Sequence, residues 1–479
     1  MGMNLTDLAF MGHLQSDDNF PGATSKTFLA AGSVALTWMQ LTNNFLYSGM
    51  VGALQTLTSQ AYGAGNSKLM LAWLQIALVS TFLACIPVAG LWWFSGDIMH
   101  AALGAKCASN CKELATTFSR FSIIKLPFSV AFAQIASYCR SRKIVKPQVY
   151  IGLLSLALNL GLNYFFIYGF TIGGHPIGGF GFKGSPISTA VAAVVQLSLL
   201  ISYMFLYLKI HKREIEAPSN QVAVRQASEE ETYVWSWVRF KRYLRLSLPL
   251  AVGGQLEEAQ MQTVSFFAGS ISQAAIGAHN GILNIILFLT SIQWSLMQAT
   301  TIRIGHHLGE ASILKCKRVL TIASIIGFAI GIIISLIFIL AKGVIGKLFT
   351  SDPAVLALAE PLCYLAGAGY FALTIFYVSM AVLQAQGRTM SIAFAFLVGA
   401  WAFGVPLAYL FGRVVVWRGV AGGLGLQGLW YGLSVGYMVT SFIAVKNVYD
   451  SDWPRLCEEA LTRSEAQVRI VKRSSSADV

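Results

Sequence analysis

Residues Leu244–Phe267 read LRLSLPLAVGGQLEEAQMQTVSFF, which is about the length of a helix that crosses a hydrocarbon core. The middle of this stretch carries two acidic residues, Glu257 and Glu258. A carboxylate at membrane depth is costly, so it usually faces a bundle interior or a water-filled cavity and handles ions or protons. Alternatively, the helix begins only at Met261 and both acids lie in a loop. The apolar run that begins at Leu248, on the other side of the acids, favours a continuous membrane helix.

The composition excludes an ordinary soluble domain. Of the 479 residues, 55% are hydrophobic and only 11% are charged, whereas soluble proteins are about one quarter charged. The net charge of +13 would suggest nucleic acid as a partner, but most basic residues lie in short loops between apolar segments, as membrane topology requires. Metal-ligand spacings and the G-x-S-x-G and H-E-x-x-H motifs are missing from the sequence, so we expect no enzyme, cofactor or metal.

Eleven apolar stretches are long enough to span a membrane, at residues 28–58, 68–95, 118–138, 148–172, 184–208, 244–268, 275–302, 318–341, 355–384, 388–412 and 425–447. Residues 1–14 resemble the second half of a twelfth, because they supply only about 20 Å of helix against a core of about 30 Å. We therefore expect an all-α polytopic membrane protein, a twelve-helix bundle whose first helix is incomplete. We also expect upstream coding sequence for the missing half.

Basic residues accumulate in the loops that follow the even-numbered spans and in the C-terminal tail. The positive-inside rule then places both termini in the cytoplasm, together with a linker loop at residues 209–243. The tail at residues 448–479 contains a predicted short helix around Pro454–Arg463. Cys107 and Cys111 fall in a loop on the opposite side, where they either pair or remain free thiols.

An internal repeat divides the chain into two halves. Gly178–Gly184 reads GGFGFKG and Gly422–Gly428 reads GGLGLQG, an offset of 244 residues. Two six-helix lobes, at residues 1–208 and 244–447, are therefore expected to be related by rotation about the membrane normal. Both runs match G-x-G-x-x-G, but neither is followed by the acidic residue that a dinucleotide site needs, so we assign the glycines to tight turns and close helix packing.

Three further segments resemble a known family. Thr6–Leu14 reads TDLAFMGHL, Ser59–Asn66 reads SQAYGAGN and Ile276–Asn280 reads IGAHN. In their order and spacing these segments are similar to the multidrug and toxic compound extrusion (MATE) family. The resemblance covers residues 4–447 and implies a twelve-helix, two-lobe fold that exports organic compounds against a proton or sodium gradient.

The resemblance also implies where a site would lie. The positions that it matches to site residues of the family are Asp7, Asn159 and Asn163 in the first lobe and Glu257, Gln262 and Leu373 in the second. Asn163 stands where prokaryotic members often have Asp, which weakens an ion site there. Gln262 and Leu373 stand where eukaryotic members have acids, and Glu258 is additional.

Glu257 and Glu258 are adjacent in a helix and point about 100° apart, so they cannot face the same spot. They still repel each other, and burial disfavours charge, so at least one is expected to hold its proton up to nearly neutral pH. Such a carboxyl suits proton exchange, and its ionised form attracts a cation. His279 is either a functional residue or a hydrogen-bonded helix residue, and Lys125 is expected to extend towards the membrane interface.

Four aromatic side chains could either add cation–π contacts to a substrate or simply pack between helices. They are Trp38, Trp294, Tyr364 and Phe376.

The function that these observations predict is a secondary antiporter that exports organic cations, drugs or other amphipathic compounds in exchange for protons. Sodium coupling and a lipid-linked precursor flippase of the same broad fold are the alternatives. A receptor or scaffold would predict neither the repeat nor the buried acids. The expected protein is a monomer in the plasma membrane or a vacuolar or other organellar membrane.

Overall fold

A computed structural model of the chain describes residues 2–17, 20–98, 109–172, 175–209, 236–350, 352–414 and 424–465. These residues are helical apart from the connecting turns and one two-stranded antiparallel hairpin, in which β1 (Phe170–Ile172) pairs with β2 (His175–Ile177). Cys107 lies outside the described residues, as do most of the central loop and the end of the tail. The question of a bond between Cys107 and Cys111 therefore stays open.

Six helical segments precede the central loop. They are α1 (Gly2–His13), α2 (Ser25–Asn44, continuing through Phe45–Val51 and Gly52–Gly63), α3 (Ser67–Trp93), α4 (Ser109–Ser122 and Lys125–Ser141), α5 (Lys146–Tyr168) and α6 (Gly184–Ile201, continuing through Ser202–Tyr207). The two parts of α4 meet at an angle of 49°.

Six more follow the loop, with a short helix after them. They are α7 (Trp237–Gly269), α8 (Gln273–Gly309), α9 (Ile313–Leu340), α10 (Pro353–Gln386), α11 (Thr389–Phe396, continuing through Leu397–Gly404, Val405–Tyr409 and Leu410–Val414), α12 (Gly425–Tyr449) and α13 (Trp453–Arg463). The twelve predicted spans are confirmed as helices, and so is the short helix in the tail. Since α7 begins at Trp237, the prediction that residues 209–243 are all loop is wrong at its end.

Eight of the described helices are long and apolar enough to cross a membrane by themselves, or nine if the two parts of α4 count as one span. The remaining helices are too short or too polar to be recognised as membrane spans from length and composition; α1 is short, and α7 carries acidic residues. They belong to the bundle through their packing rather than through their composition alone.

The described chain forms two compact units, residues 1–54 with 74–217 and residues 55–73 with 218–479. The end of α2 and the start of α3 therefore belong to the second unit. Within that unit the side-chain amide of Gln60 donates a hydrogen bond to the carbonyl oxygen of Ala385 on α10, at 2.7 Å. The lobe boundaries at residues 208 and 244 stay a prediction.

The tail helix α13 is fixed to the second unit. Its apolar side, which includes Trp453 and Leu456, is buried in a cluster with residues of α8, α9 and α10. The guanidinium of Arg463 donates to the Gln60 side-chain oxygen at 3.0 Å and to the carbonyl oxygen of Gln386 at 2.8 Å.

Two glycines of each repeated run can be compared, Gly181 with Gly425 and Gly184 with Gly428, and their local geometry agrees. Gly181 and Gly425 both have a φ of +58°, a conformation that glycine adopts without strain. A Cβ on Gly184 would lie 2.3 Å from the carbonyl oxygen of Phe166, and a Cβ on Gly428 would lie 2.3 Å from that of Phe411. In each unit the run therefore brings the start of one helix against the backbone of the preceding helix, as the sequence predicts for packing glycines.

Candidate functional site

The helix α7 is continuous from Trp237 to Gly269, so Glu257 and Glu258 lie within a helix and the loop alternative is wrong. Pro249 is inside this helix. A proline there removes one backbone hydrogen bond, and packing against neighbouring helices compensates for it. The flanking Leu246 and Leu250 are buried, which fixes the direction in which this part of α7 packs.

Glu257 faces two tyrosines from other helices. Its Oε1 accepts a hydrogen bond from the hydroxyl of Tyr377 on α10 at 3.2 Å and from that of Tyr437 on α12 at 3.3 Å. Both rings are buried, whereas Glu257 itself is half-buried. Among the described residues no cationic side chain pairs with this carboxyl. The site therefore offers one carboxylate and two hydroxyl donors.

Glu258 points elsewhere, as the helical geometry of adjacent residues predicts. Its Oε1 accepts a hydrogen bond from the amide of Gln262, one turn later in the same helix, at 3.1 Å. Gln262 is thus a partner of Glu258, whereas the described hydrogen bonds of Glu257 go to Tyr377 and Tyr437. Within the part of the chain that the structure describes, Glu257 is the one of the two acids that has side-chain partners on other helices.

The tyrosines are the residues that the sequence analysis missed. Leu373, the position matched to an acid in α10, is buried in the hydrophobic core of the second unit. Tyr377 lies one turn further along α10 and occupies the side that faces Glu257. Tyr370, Thr374 and Tyr377 form a stripe of hydroxyls at helical spacing on an otherwise apolar helix, and that stripe is the signal in the sequence that could have indicated this face.

His279 is completely buried and contacts Ser265 and Trp430. Its Nε2 lies 3.0 Å from the Ser265 hydroxyl, and its ring meets the Trp430 ring edge to face at 5.7 Å. Ser265 is eight residues beyond Glu257 on α7, a rise of about 12 Å. The contacts of His279 therefore join α7, α8 and α12, and they do not bring it to Glu257.

A second polar cluster surrounds Asp7 in the first unit. The Asp7 carboxylate, which is fully buried, accepts hydrogen bonds from the Thr189 hydroxyl at 2.7 and 2.8 Å and from the Asn163 amide at 3.0 Å. Asn159 donates to the Thr189 oxygen at 3.0 Å and accepts a hydrogen bond from Thr6. The three residues predicted for this lobe therefore do meet, and Thr6 and Thr189 complete the cluster.

Lys125 contradicts the expectation that it extends to the membrane interface. It is only 8% exposed, at the start of the second part of α4. Periodicity alone did not indicate this burial.

The four aromatic candidates have mostly structural contacts. Trp38 donates to the carbonyl oxygen of Leu91, and Phe376 is buried in the core. Tyr364 lies on an exposed face, with the Lys342 ammonium 4.9 Å from its ring centre. Two of the candidates contact the site residue Tyr377: the ring of Trp294 meets that of Tyr377 edge to face at 5.9 Å, and the ring of Phe376 lies 5.5 Å from it.

Comparison with known proteins identifies the family. The MatE family model matches residues 2–165 and 249–410, more than half of the chain. Multidrug and toxin extrusion protein 1 of Xenopus tropicalis is 26% identical over 465 residues, which cover 95% of this chain and 73% of that protein. The probable multidrug resistance protein NorM of Pasteurella multocida is 26% identical over 431 residues, covering 89% and 87%.

Solved structures agree on the fold. The eukaryotic MATE transporter AtDTX14 matches with a TM-score of 0.81 at 22% identity, over 96% of this chain and 94% of that one. The Vibrio cholerae MATE transporter VcmN in its bent form matches with a TM-score of 0.75 at 18% identity, over 97% and 94%. The chain belongs to the MatE family, and it is a multi-pass membrane transporter with a twelve-helix, two-lobe fold rather than an enzyme.

Proposed function

We propose that this transporter exports organic cations and related amphipathic compounds, including drugs, in exchange for protons. The observation that carries the proposal is Glu257, a half-buried carboxyl in a membrane helix that two hydroxyls hold and no cation neutralises within the described residues. The names of the relatives, which describe multidrug and toxin extrusion, support the substrate class.

Glu257 performs the exchange through its charge. In the ionised form it attracts a cationic substrate, and the hydroxyls of Tyr377 and Tyr437 keep its oxygen in place. Protonation removes the charge and with it most of the attraction, so the substrate leaves. Proton and substrate then compete for one carboxyl, and the competition is reciprocal, because each ligand weakens the binding of the other by the same factor.

The other predicted residues have supporting roles in this proposal. Glu258, held by Gln262, raises the local negative charge and modulates the pH range of exchange. Asp7 with Asn159 and Asn163 forms a second polar centre in the first unit. His279 stabilises helix packing. The protein works as a monomer in the plasma membrane or an organellar membrane, with both termini in the cytoplasm.

The test is efflux of a fluorescent organic cation from a transport-deficient host, measured against external pH. Glu257→Gln mimics the protonated carboxyl and is expected to reduce export nearly to background while the protein remains in the membrane. Glu258→Gln serves as the matched control, because it removes the adjacent charge and leaves the tyrosine contacts intact. It is expected to shift the pH optimum only, and Asp7→Asn is expected to fall between the two.

Export by Glu257→Gln with the pH dependence of the wild type would refute the mechanism. An efflux that follows an imposed sodium gradient, and not a pH gradient, would favour the sodium-coupled alternative. Translocation of a lipid-linked precursor without efflux of any organic cation would favour the flippase.

A further inference from the structure

A cavity lined by the start of α7 and by the tail helix α13 has no role in the proposed export cycle. Its volume is about 390 Å³, and small-molecule sites in proteins usually measure about 300–1,000 Å³. One arginine of α7 and five polar or charged residues of α13 line it, namely Arg242 and then Arg455, Glu458, Glu459, Thr462 and Arg463. Both helices belong to the second unit. The cavity therefore suits a polar or charged ligand.

Arg242 brings an unused donor to this cavity. Its Nη1 is buried and has no hydrogen-bond partner among the described residues. A buried N–H without an acceptor costs free energy, and the cost is larger on a charged group. The other two arginines of the lining do have an acceptor, because the Nε of Arg455 donates to Glu459 at 3.1 Å and the Nη1 of Arg463 lies 3.6 Å from the same carboxyl group. A ligand that supplies an acceptor oxygen is therefore expected at Arg242.

The charges of the lining indicate the charge of that ligand. Three guanidinium groups face two carboxylates, so the cavity keeps one positive charge. A phosphodiester carries a single negative charge and balances it, whereas a phosphate monoester carries a charge of about −1.5 to −2 at neutral pH. Phosphate oxygens are also acceptors whose geometry matches the N–H groups of a guanidinium. The lining therefore favours a phosphodiester.

The start of α7 carries the residues of a membrane interface. Trp237, the first residue of the helix, is 59% exposed, and the ammonium of Lys241 lies 5.4 Å from the centre of its ring. Tryptophan and basic residues at the end of a membrane helix are typical of the level of the lipid headgroups. Arg242 lies between Trp237 and the apolar run that begins at Leu248. The cavity is therefore at the depth where a phospholipid presents its phosphate.

We propose that this cavity binds the phosphodiester of a membrane phospholipid, with the guanidinium of Arg242 as the main donor. Arg455, at the exposed edge of the cavity, adds positive charge. The exposed carboxylate of Glu458 accepts a hydroxyl or ammonium group of the headgroup, so a choline headgroup, which has no such donor, binds less well. Arg242 and Glu257 are separated by about 22 Å along α7, so this lipid site is distinct from the proposed exchange site.

The test follows thermal unfolding of the purified full-length transporter in a phosphate-free detergent solution. Because a ligand that binds the folded state raises its stability, a rise in the unfolding temperature reports binding. Phosphatidylglycerol is the probe, and diacylglycerol with the same acyl chains is the control lipid, since it lacks the phosphate. Phosphatidylcholine tests the headgroup donors. Inorganic phosphate, at constant ionic strength, tests for a soluble ligand.

The variants are Arg242→Gln, Arg455→Gln and the matched control Arg245→Gln, which changes an exposed arginine of α7 that does not line the cavity. Phosphatidylglycerol should stabilise the wild type and Arg245→Gln equally, and more than the other additives do. Arg242→Gln should weaken this binding about tenfold, as expected for one hydrogen bond to a charged group. Arg455→Gln should weaken it by a smaller factor.

Unfolding without any lipid separates binding from packing. Arg242→Gln removes a buried donor that has no acceptor, so without lipid it should unfold at the temperature of the wild type or above it. If Arg242→Gln does not fold, weaker binding by Arg455→Gln than by Arg245→Gln still supports the site. An Arg242→Gln variant that is destabilised equally with and without lipid would overturn the inference, because Arg242 would then act only in packing.

Equal responses of the wild type and Arg242→Gln to phosphatidylglycerol would also overturn the inference, and so would a response to diacylglycerol as large as that to phosphatidylglycerol. Stabilisation by inorganic phosphate alone, lost in Arg242→Gln, would overturn the assignment to a lipid. The measurement does not involve Glu257 or transport, so its failure is distinct from a failure of the proposed function.

Discussion

The two tyrosines that hold Glu257 give a quantitative prediction for the pH dependence of export. Tyr377→Phe and Tyr437→Phe each remove one hydroxyl and keep the ring. The ring of Tyr377 also packs against Trp294, and phenylalanine retains that contact. Either change therefore removes one hydrogen bond to the carboxylate and little else.

The magnitude follows from the bond lengths. The hydroxyls lie 3.2 and 3.3 Å from Oε1, which is long for an O–H···O bond, so each is worth the lower end of the range for a bond to a charged group, about 1.5 kcal/mol. A difference of about 1.4 kcal/mol between two protonation states corresponds to one pH unit. The hydroxyls donate to the ionised form, so their loss favours the protonated form, and the midpoint of the pH profile should rise by about one unit in each variant.

The assay is efflux of a fluorescent organic cation from membrane vesicles over a series of external pH values, with the amount of protein in the membrane measured in parallel. Tyr364→Phe is the matched control, because Tyr364 is on the same helix but lies on an exposed face. Its midpoint should not move. Unchanged midpoints in both site variants, or a shift to lower pH, would refute the assignment of the tyrosines as donors to the ionised carboxylate.

Three further predictions concern stability, measured as the unfolding temperature of the purified transporter. Gly428→Ala should lower the free energy of unfolding by about 1–3 kcal/mol, because the new Cβ would lie 2.3 Å from a backbone oxygen. Gly161→Ala is the control and should have little effect, because no atom lies within 4 Å of its Cβ position. Equal effects of the two changes would contradict the packing role of Gly428. Asp17→Ala should lower the free energy of unfolding by about 1–3 kcal/mol, because Asp17 accepts a 2.7 Å hydrogen bond from the backbone N–H of Phe182, just before α6. Asp97 is exposed, so Asp97→Ala is the control and should change stability little. Arg463→Gln should lower the free energy of unfolding by about 1–3 kcal/mol, because it removes the hydrogen bonds that tie α13 to α2 and α10. An unchanged unfolding temperature would show that the apolar side of α13 alone holds it in place.

The amino-acid sequence by itself determined the fold class and the position of the buried acids. Apolar length decides which segments become helices in a bilayer, because every backbone polar group must be satisfied within its own segment. That rule is local, and it placed Glu257 inside a helix before any contact was known. The repeated glycines could also be read from the sequence, because a glycine that must approach a backbone closely has no substitute. Gly184 meets the carbonyl oxygen of Phe166, and Gly428 meets that of Phe411.

Only the tertiary structure decided which side chains meet. Tyr377 and Tyr437 are 120 and 180 residues from Glu257 in the sequence. When a helix is apolar on most of its sides, its periodicity does not indicate which face meets a given partner. The same limit applies to Lys125, whose burial hydropathy did not indicate. It also applies to Gln55–Trp73, which groups with the second unit although it precedes the central loop. Hydropathy fixes the length and order of membrane helices, whereas their rotation and neighbours follow from the packing of the whole bundle.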